Sequence, residues 1–259
     1  MVKEIPSSAQ SSKSVPKSLA PLAPLAPLAA LAIGLVVLTA SASPAGAQTF
    51  SRAFAVSPES SELEVVNQAG TIKVTAGAHQ SKIVINARQS DGAAKIDATQ
   101  SALGKVKVEV TGRGRVDFEI AVPASSSIDL LSYRGAIVVT NLAGAVRARV
   151  TDGDIQIAGL RSARVEARCT QGNISFSGEV LPTGSYTLKS FSGRVDAILP
   201  ADADFKLSAS TFRGGIYLGA FQMKFNKRSH QLVEGSHGAG RASISLWTQE
   251  GSIYLHSKP

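Results

Sequence analysis

The chain has 259 residues, with 27 Lys and Arg against 19 Asp and Glu, a formal net charge of +8, and a single cysteine. One cysteine excludes an intrachain disulfide, so stability must come from a buried core, and a charge this mild does not by itself define an anionic partner.

The first 47 residues have the layout of a secretory signal. Lys3, Lys13 and Lys17 form a basic leader, and Leu28–Leu38 (LAALAIGLVVL) is the apolar centre. Ala45-Gly46-Ala47 precedes Gln48 as a small-residue cleavage site, with Ala40-Ser41-Ala42 as a second candidate. The apolar run falls short of the about 20 residues a spanning helix needs, so no transmembrane span is expected after cleavage. The PLAPLAPLAAL lead-in leaves an uncleaved anchor as the alternative, and no cysteine lies near the cleavage point to carry a lipid. Removing 47 of 259 residues leaves residues 48–259, 212 residues that suit one domain. The leader carries three Lys and one Glu, so the net charge falls from +8 to +6.

Beyond the leader the chain is periodic. A glycine followed two residues later by Ile or Val recurs at Gly70, Gly135, Gly153, Gly172, Gly193, Gly214 and Gly251, at intervals of 65, 18, 19, 21, 21 and 37. Four intervals fit a repeat of about 20 residues; 37 is close to two repeats and 65 to three. The flanking positions agree as well. Those seven, five, two and four places from each glycine, the first two before it and the last two after, are all apolar or aromatic, from Leu63, Val65, Ile72 and Val74 to Ile244, Leu246, Ile253 and Leu255. Alternation on both sides of a glycine predicts two short half-buried strands joined at a bend with positive φ. Such a pair buries its apolar face only by stacking on the next, which predicts an all-β, single-domain β-solenoid. Pro58, Pro123, Pro182 and Pro200 mark the return loops.

Two segments depart from the repeat. Residues 78–122 (KIVINA, KVKVEV, RVDFEIAV) alternate without the corner glycine and predict irregular strands or a hairpin near the N-terminal end. Residues 221–240 interrupt the last interval and predict a protruding loop or hairpin, able to cap an open edge.

The stretches FAVSPESSELEVVNQAGTI, VPASSSIDLLSYRGAIVV, LPADADFKLSASTFRGGI and GAGRASISLWTQEGSIYL, with the GDI and GNI corners, resemble a family of exported bacterial β-helical domains known as candidate adhesins, of unknown function. The resemblance spans nearly all of the chain after residue 47 and implies a β-helix. It brings no catalytic residue, because its motif is made of glycines and core positions.

Candidate chemistry is sparse. Asp152 and Asp154 flank Gly153 and could suggest a calcium loop, but neighbouring corners carry no carboxylates to complete six or more oxygen ligands, so a turn role is expected. His79, His230, His237 and His256 show no metal-ligand spacing beyond a His230/His237 pair expected on a solvated loop. No catalytic, cofactor or metal residue is predicted. Cys169, three residues before Gly172, should point inward as a small buried residue. Gly112-Arg113-Gly114-Arg115 reads as a tight turn, and Glu166 should sit beside Arg147 as a lateral ion pair. Four residues before their glycines, Arg149, Arg168 and Lys189 should stack as a column of cations. Such a ladder suits an anionic glycan or envelope polymer, against a merely solvated face. Nucleic acid is not expected, given export and the lack of exposed aromatics interleaved with the basic positions.

The resulting expectation is a non-catalytic binding or structural module, exported to the periplasm or cell surface, with an anionic glycan, an envelope polymer or another envelope protein as partner. The alternatives are a polysaccharide-active β-helix enzyme, which needs clustered outward carboxylates, and an envelope-stress sensor.

Overall fold

The computed structural model describes residues 48–57, 61–77 and 81–258, and these hold strands and loops with no helix. The expected signal segment 1–47 lies outside the described residues, as do Pro58 and His79. In chain order the strands are β1 (Gln48–Ala55), β2 (Glu62–Ala69), β3 (Ile72–Ala76), β4 (Lys82–Gly92), β5 (Lys95–Gln100), β6 (Lys105–Thr111) and β7 (Gly114–Val122). Then come β8 (Ser127–Arg134), β9 (Ile137–Thr140), β10 (Val146–Asp152), β11 (Ile155–Leu160), β12 (Arg164–Gln171), β13 (Ile174–Gly178), β14 (Ser185–Ser192) and β15 (Val195–Pro200). The chain closes with β16 (Phe205–Arg213), β17 (Ile216–Leu218), β18 (Lys224–Arg228), β19 (Leu232–His237), β20 (Ala242–Glu250) and β21 (Ile253–Lys258).

These strands form two mixed sheets. One is 11-stranded, in the order β18-β19-β16-β20-β14-β12-β10-β8-β2-β6-β5; the other is 10-stranded, β1-β4-β7-β3-β9-β11-β13-β15-β21-β17. Each of the seven glycines joins a strand of the first sheet to a strand of the second. Their φ values run from 112° to 152°, and a Cβ at any of them would meet a backbone carbonyl oxygen of the neighbouring corner at 1.9–2.3 Å. Only glycine fits a corner that is both left-handed and stacked this closely.

The registers follow the periodicity. Val146 lies opposite Val165, Val165 opposite Tyr186, and Tyr186 opposite Ile244, all in parallel ladders. Of the 28 aligned apolar positions, 26 are buried in one core. The two exceptions, Ile216 and Leu218, are only partly buried because β17 is the last strand of its sheet.

The stacking order departs from the chain order at both ends. The 37-residue interval holds no extra corner; instead β20–β21 slots between β14–β15 and β16–β17, pairing with both. Gly251 therefore stacks between Gly193 and Gly214. The 65-residue interval likewise does not place three units between Gly70 and Gly135, whose strands pair directly. The intervening β6–β7 stacks on the other side of β2–β3, with Val116 at its corner in place of glycine. The Gly112–Arg115 turn links β6 to β7 across the two sheets. The expectation of irregular strands in residues 78–122 holds only in part: KVKVEV and RVDFEIAV form the parallel β6–β7 unit, whereas β4 adds antiparallel to β7, β1 antiparallel to β4, and β5 antiparallel to β6. Residues 221–240 form the expected hairpin, β18–β19, which pairs along β16 and so covers a sheet edge.

Candidate functional site

Strand alternation turns the residues two, four and six places before each corner glycine outward on the 11-stranded sheet. Four places before it, Arg149 lies opposite Arg168 and Arg168 opposite Lys189, so the expected cation column is in register on β10, β12 and β14. The column continues to Leu131 on β8 and Trp247 on β20. Rungs separated by about 4.8 Å bring like charges close. Relief comes from the adjacent column: Arg149 bonds Asp129 at 2.8 Å, and Arg168 bonds Glu166 at 2.6 Å. Arg147 lies between these carboxylates, 3.2 Å from Glu166 as its position predicts and 3.6 Å from Asp129. From β8 to β20, four cations against two carboxylates leave the two columns at +2, before Glu64 on β2 adds a third carboxylate opposite Asp129. Lys189 has no carboxylate partner among the described residues.

The aromatics are what sequence reasoning missed. Two places before their glycines, Tyr133, Phe191 and Phe212 are 45%, 52% and 60% exposed, three of the six exposed large hydrophobic side chains among the described residues. With Trp247 they put aromatic surface beside the basic column, so of the two grounds against nucleic acid only the expected export remains. The outward positions looked unremarkable one at a time; only alignment of the columns two and four places before glycine brings Phe191, Lys189 and Trp247 together. A shallow groove of about 360 Å³ runs here, lined among others by Leu131, Arg149, Arg168, Lys189, Phe191 and Trp247.

Behind this face, the residues three places before glycine point inward and form a second ladder. Cys169, Ser190, Thr248 and Thr211 donate to the corner carbonyls of Gly153, Gly172, Gly193 and Gly251 at 2.8–3.1 Å. Asn67 does the same to Val116 at 2.9 Å. Cys169 is thus buried as expected, and burial, with Asp154 and Asp152 nearby, pushes its thiol up to about 11. It is a hydrogen-bond donor there and no nucleophile at neutral pH.

Asp154 sits at a corner, as its turn role requires, and bonds across rungs: its Oδ1 accepts the Asn173 backbone N–H at 2.7 Å and the Asn173 amide at 3.2 Å. Asn173 in turn accepts the Arg194 N–H at 2.9 Å. His230 lies exposed in the β18–β19 turn. His237 departs from the solvated reading. Its ring stacks 5.6 Å from Phe205 and lies 5.2 Å from Phe221, with Nδ1 2.6 Å from the Ala203 carbonyl oxygen, because β19 carries it onto the end of the core. Among the described residues no three His, Cys, Asp or Glu side chains gather as a metal site, and no helix is long and apolar enough to cross a membrane.

Parallel ladders turning at stacked glycines, with a basic and aromatic outer face, define an all-β protein. Residues 57–256 match the Toastrack DUF4097 family, and the chain belongs to it. No curated protein matches it. Among solved structures, a candidate cell adhesion protein from Clostridium sporogenes is similar at 11% identity, over 82% of this chain and 100% of that one, with a TM-score of 0.49. A candidate adhesin from Bacteroides fragilis is similar at 10% identity over 80% and 97%, with a TM-score of 0.41. A candidate lipid binding protein from Parabacteroides distasonis is similar at 10% identity over 82% and 97%, with a TM-score of 0.28.

Proposed function

We propose that this chain is an exported, non-catalytic binding module of the bacterial envelope, periplasmic or at the cell surface, that holds an anionic glycan or envelope polymer on the outer face of its 11-stranded sheet. Residues 1–47 serve as the export signal, cut after Ala47 or Ala42, and residues 48–259 wind as one β-solenoid of about 20 residues per rung. The observation that carries the reading is the register of Arg149, Arg168 and Lys189 on three consecutive parallel strands. Parallel stacking repeats one side-chain position at each rung, so a polymer lying along the stack meets a donor at each step. Guanidinium groups offer paired N–H donors to carboxylate or phosphate, and Lys189 adds a cation free of internal pairing.

The test is binding of the purified chain to a panel of envelope polymers and acidic glycans at low and physiological salt, beside a variant carrying Arg149→Glu, Arg168→Glu and Lys189→Glu. Affinity that weakens with salt and disappears in the variant is the expected result. Absence of binding to every polymer, or binding that the variant retains, overturns the reading.

A further inference from the structure

The cation of the column that lacks a carboxylate partner is also the one flanked by aromatic residues in the ladder. Lys189 lies opposite Trp247 on β20, and Phe191 follows it by two residues on the same face of β14. Arg149 and Arg168 have no aromatic residue opposite them in the ladder and none two residues on in their own strands, where Thr151 and Thr170 stand; Tyr133 and Phe191 flank them only diagonally, and their guanidinium groups are tied to Asp129 and Glu166. Charge available to a ligand and flat apolar surface are therefore concentrated at one end of the groove, over β14 and β20. Along the rest of the strip, Thr151 and Thr170 stand exposed beside the arginines, and Phe212 is exposed on β16 beyond β20.

This distribution selects among anionic polymers. A polyphosphate carries dense charge and no apolar face, so exposed aromatics would offer it nothing, and a pair of columns with a net charge of only +2 would hold it poorly. A sugar ring presents a C–H face that packs on an aromatic ring, hydroxyls that suit Thr151 and Thr170, and, when it is a uronic acid, one carboxylate for a cation. We infer that the ligand is an acidic polysaccharide carrying carboxylates, with sugar rings against Phe191 and Trp247 and a carboxylate on Lys189. The inference rests on the proposed function and narrows it to one ligand class and one end of the groove. The aromatic residues set specificity for sugar over charge alone; aromatic anchors of this type tend to dominate binding energy.

Trp247 is the sole tryptophan of the chain, so its emission reports on this site alone. Titration of the full chain with an oligogalacturonate should give a saturable change in tryptophan emission, with inorganic polyphosphate, a neutral glucan oligosaccharide and oligodeoxythymidylate binding at least about tenfold more weakly. By calorimetry, Phe191→Ala and Trp247→Ala should each raise the oligogalacturonate Kd about tenfold, and Trp247→Phe should restore most of the loss. Melting temperatures of these variants within a few degrees of the parent keep a folding defect from imitating the effect. If polyphosphate or the oligonucleotide binds as tightly as the uronate, or the aromatic variants bind normally while the triple charge reversal does not, the sugar assignment fails and the anionic-polymer reading stands. If no polymer binds, both fall.

Discussion

At Gly153 the backbone takes a φ of 140°, and an added Cβ would sit 2.3 Å from the carbonyl oxygen of Gly135. Strain and clash act together, and neither is relieved by moving a side chain, because the obstacle is backbone. Gly153→Val should therefore cost about 2 kcal/mol or more and lower the melting temperature clearly. Asp154 is a contrasting neighbour. Its structural task is to accept the Asn173 N–H, and an asparagine keeps that acceptor, so Asp154→Asn should leave the melting curve nearly unchanged while Asp154→Ala lowers it measurably. Thermal unfolding of the three variants side by side checks the ranking. A calcium-dependent stability lost in Asp154→Asn would refute the turn role. The inward ladder three places before each glycine is harder to read from sequence. Asn67, Ser132, Val150, Cys169, Ser190, Thr211 and Thr248 share small size and differ in polarity, and Val150 has no donor, so a hydrophobic alignment hides what most of them do for the corner carbonyls.

Strand pairs were legible one at a time, and their order in the stack was not. A repeat shows which residues occupy equivalent positions, since burial imposes the same alternation on each pair. It carries no mark of which pair lies beside which, because every apolar face fits every other. Thus Ile253 and Leu255 read as core from sequence and are core, yet β20–β21 lies in the interior of the stack although it closes the chain. The same limit held for the binding face: the cation column was visible because its three strands are consecutive, whereas Trp247 joins Lys189 only through the insertion of β20 beside β14. Removing a terminal rung from a stack that follows chain order exposes one new edge. Ending this chain at Gly240 does more, since it strips β16 and β17 of their parallel partners and bares β14 and β15 at once. The truncated protein should lose its cooperative melting transition by circular dichroism, or retain one at least about 10 °C lower. A transition within a few degrees of the full chain would show that β20–β21 is peripheral to stability.

Across the whole molecule, the stack is stapled electrostatically at its two ends. Near one end Lys105 on β6 reaches Glu62 and Glu64 on β2 at 3.0 and 2.8 Å, and the lysine holds the Glu64 carboxyl below its ordinary value of 4.5. Beside it on β7, burial acts upward on Asp117, but the Thr71 N–H and the Arg115 guanidinium outweigh it and leave its pKa below 3.8. At the other end Asp204 is lowered by Arg241, whose side chain and backbone it accepts together with the Gly240 N–H. Each is a carboxylate whose folded pKa lies below its unfolded one. Its contribution is complete above the unfolded value and is lost as pH falls through the folded value. Stability should therefore decline below about pH 4.5, and the ends should loosen before the centre, because these three carboxylates tie β2 to β6, β3 to β7, and the approach to β20 onto the start of β16. Amide exchange measured at pH 7 and pH 3.5, corrected for intrinsic rates, should show protection falling first in residues 105–122 and 205–213 and last in residues 146–199. Uniform loss, or loss beginning in the central ladders, would mean that the parallel stack opens as one unit and that the end ion pairs, exposed as they are, only decorate it.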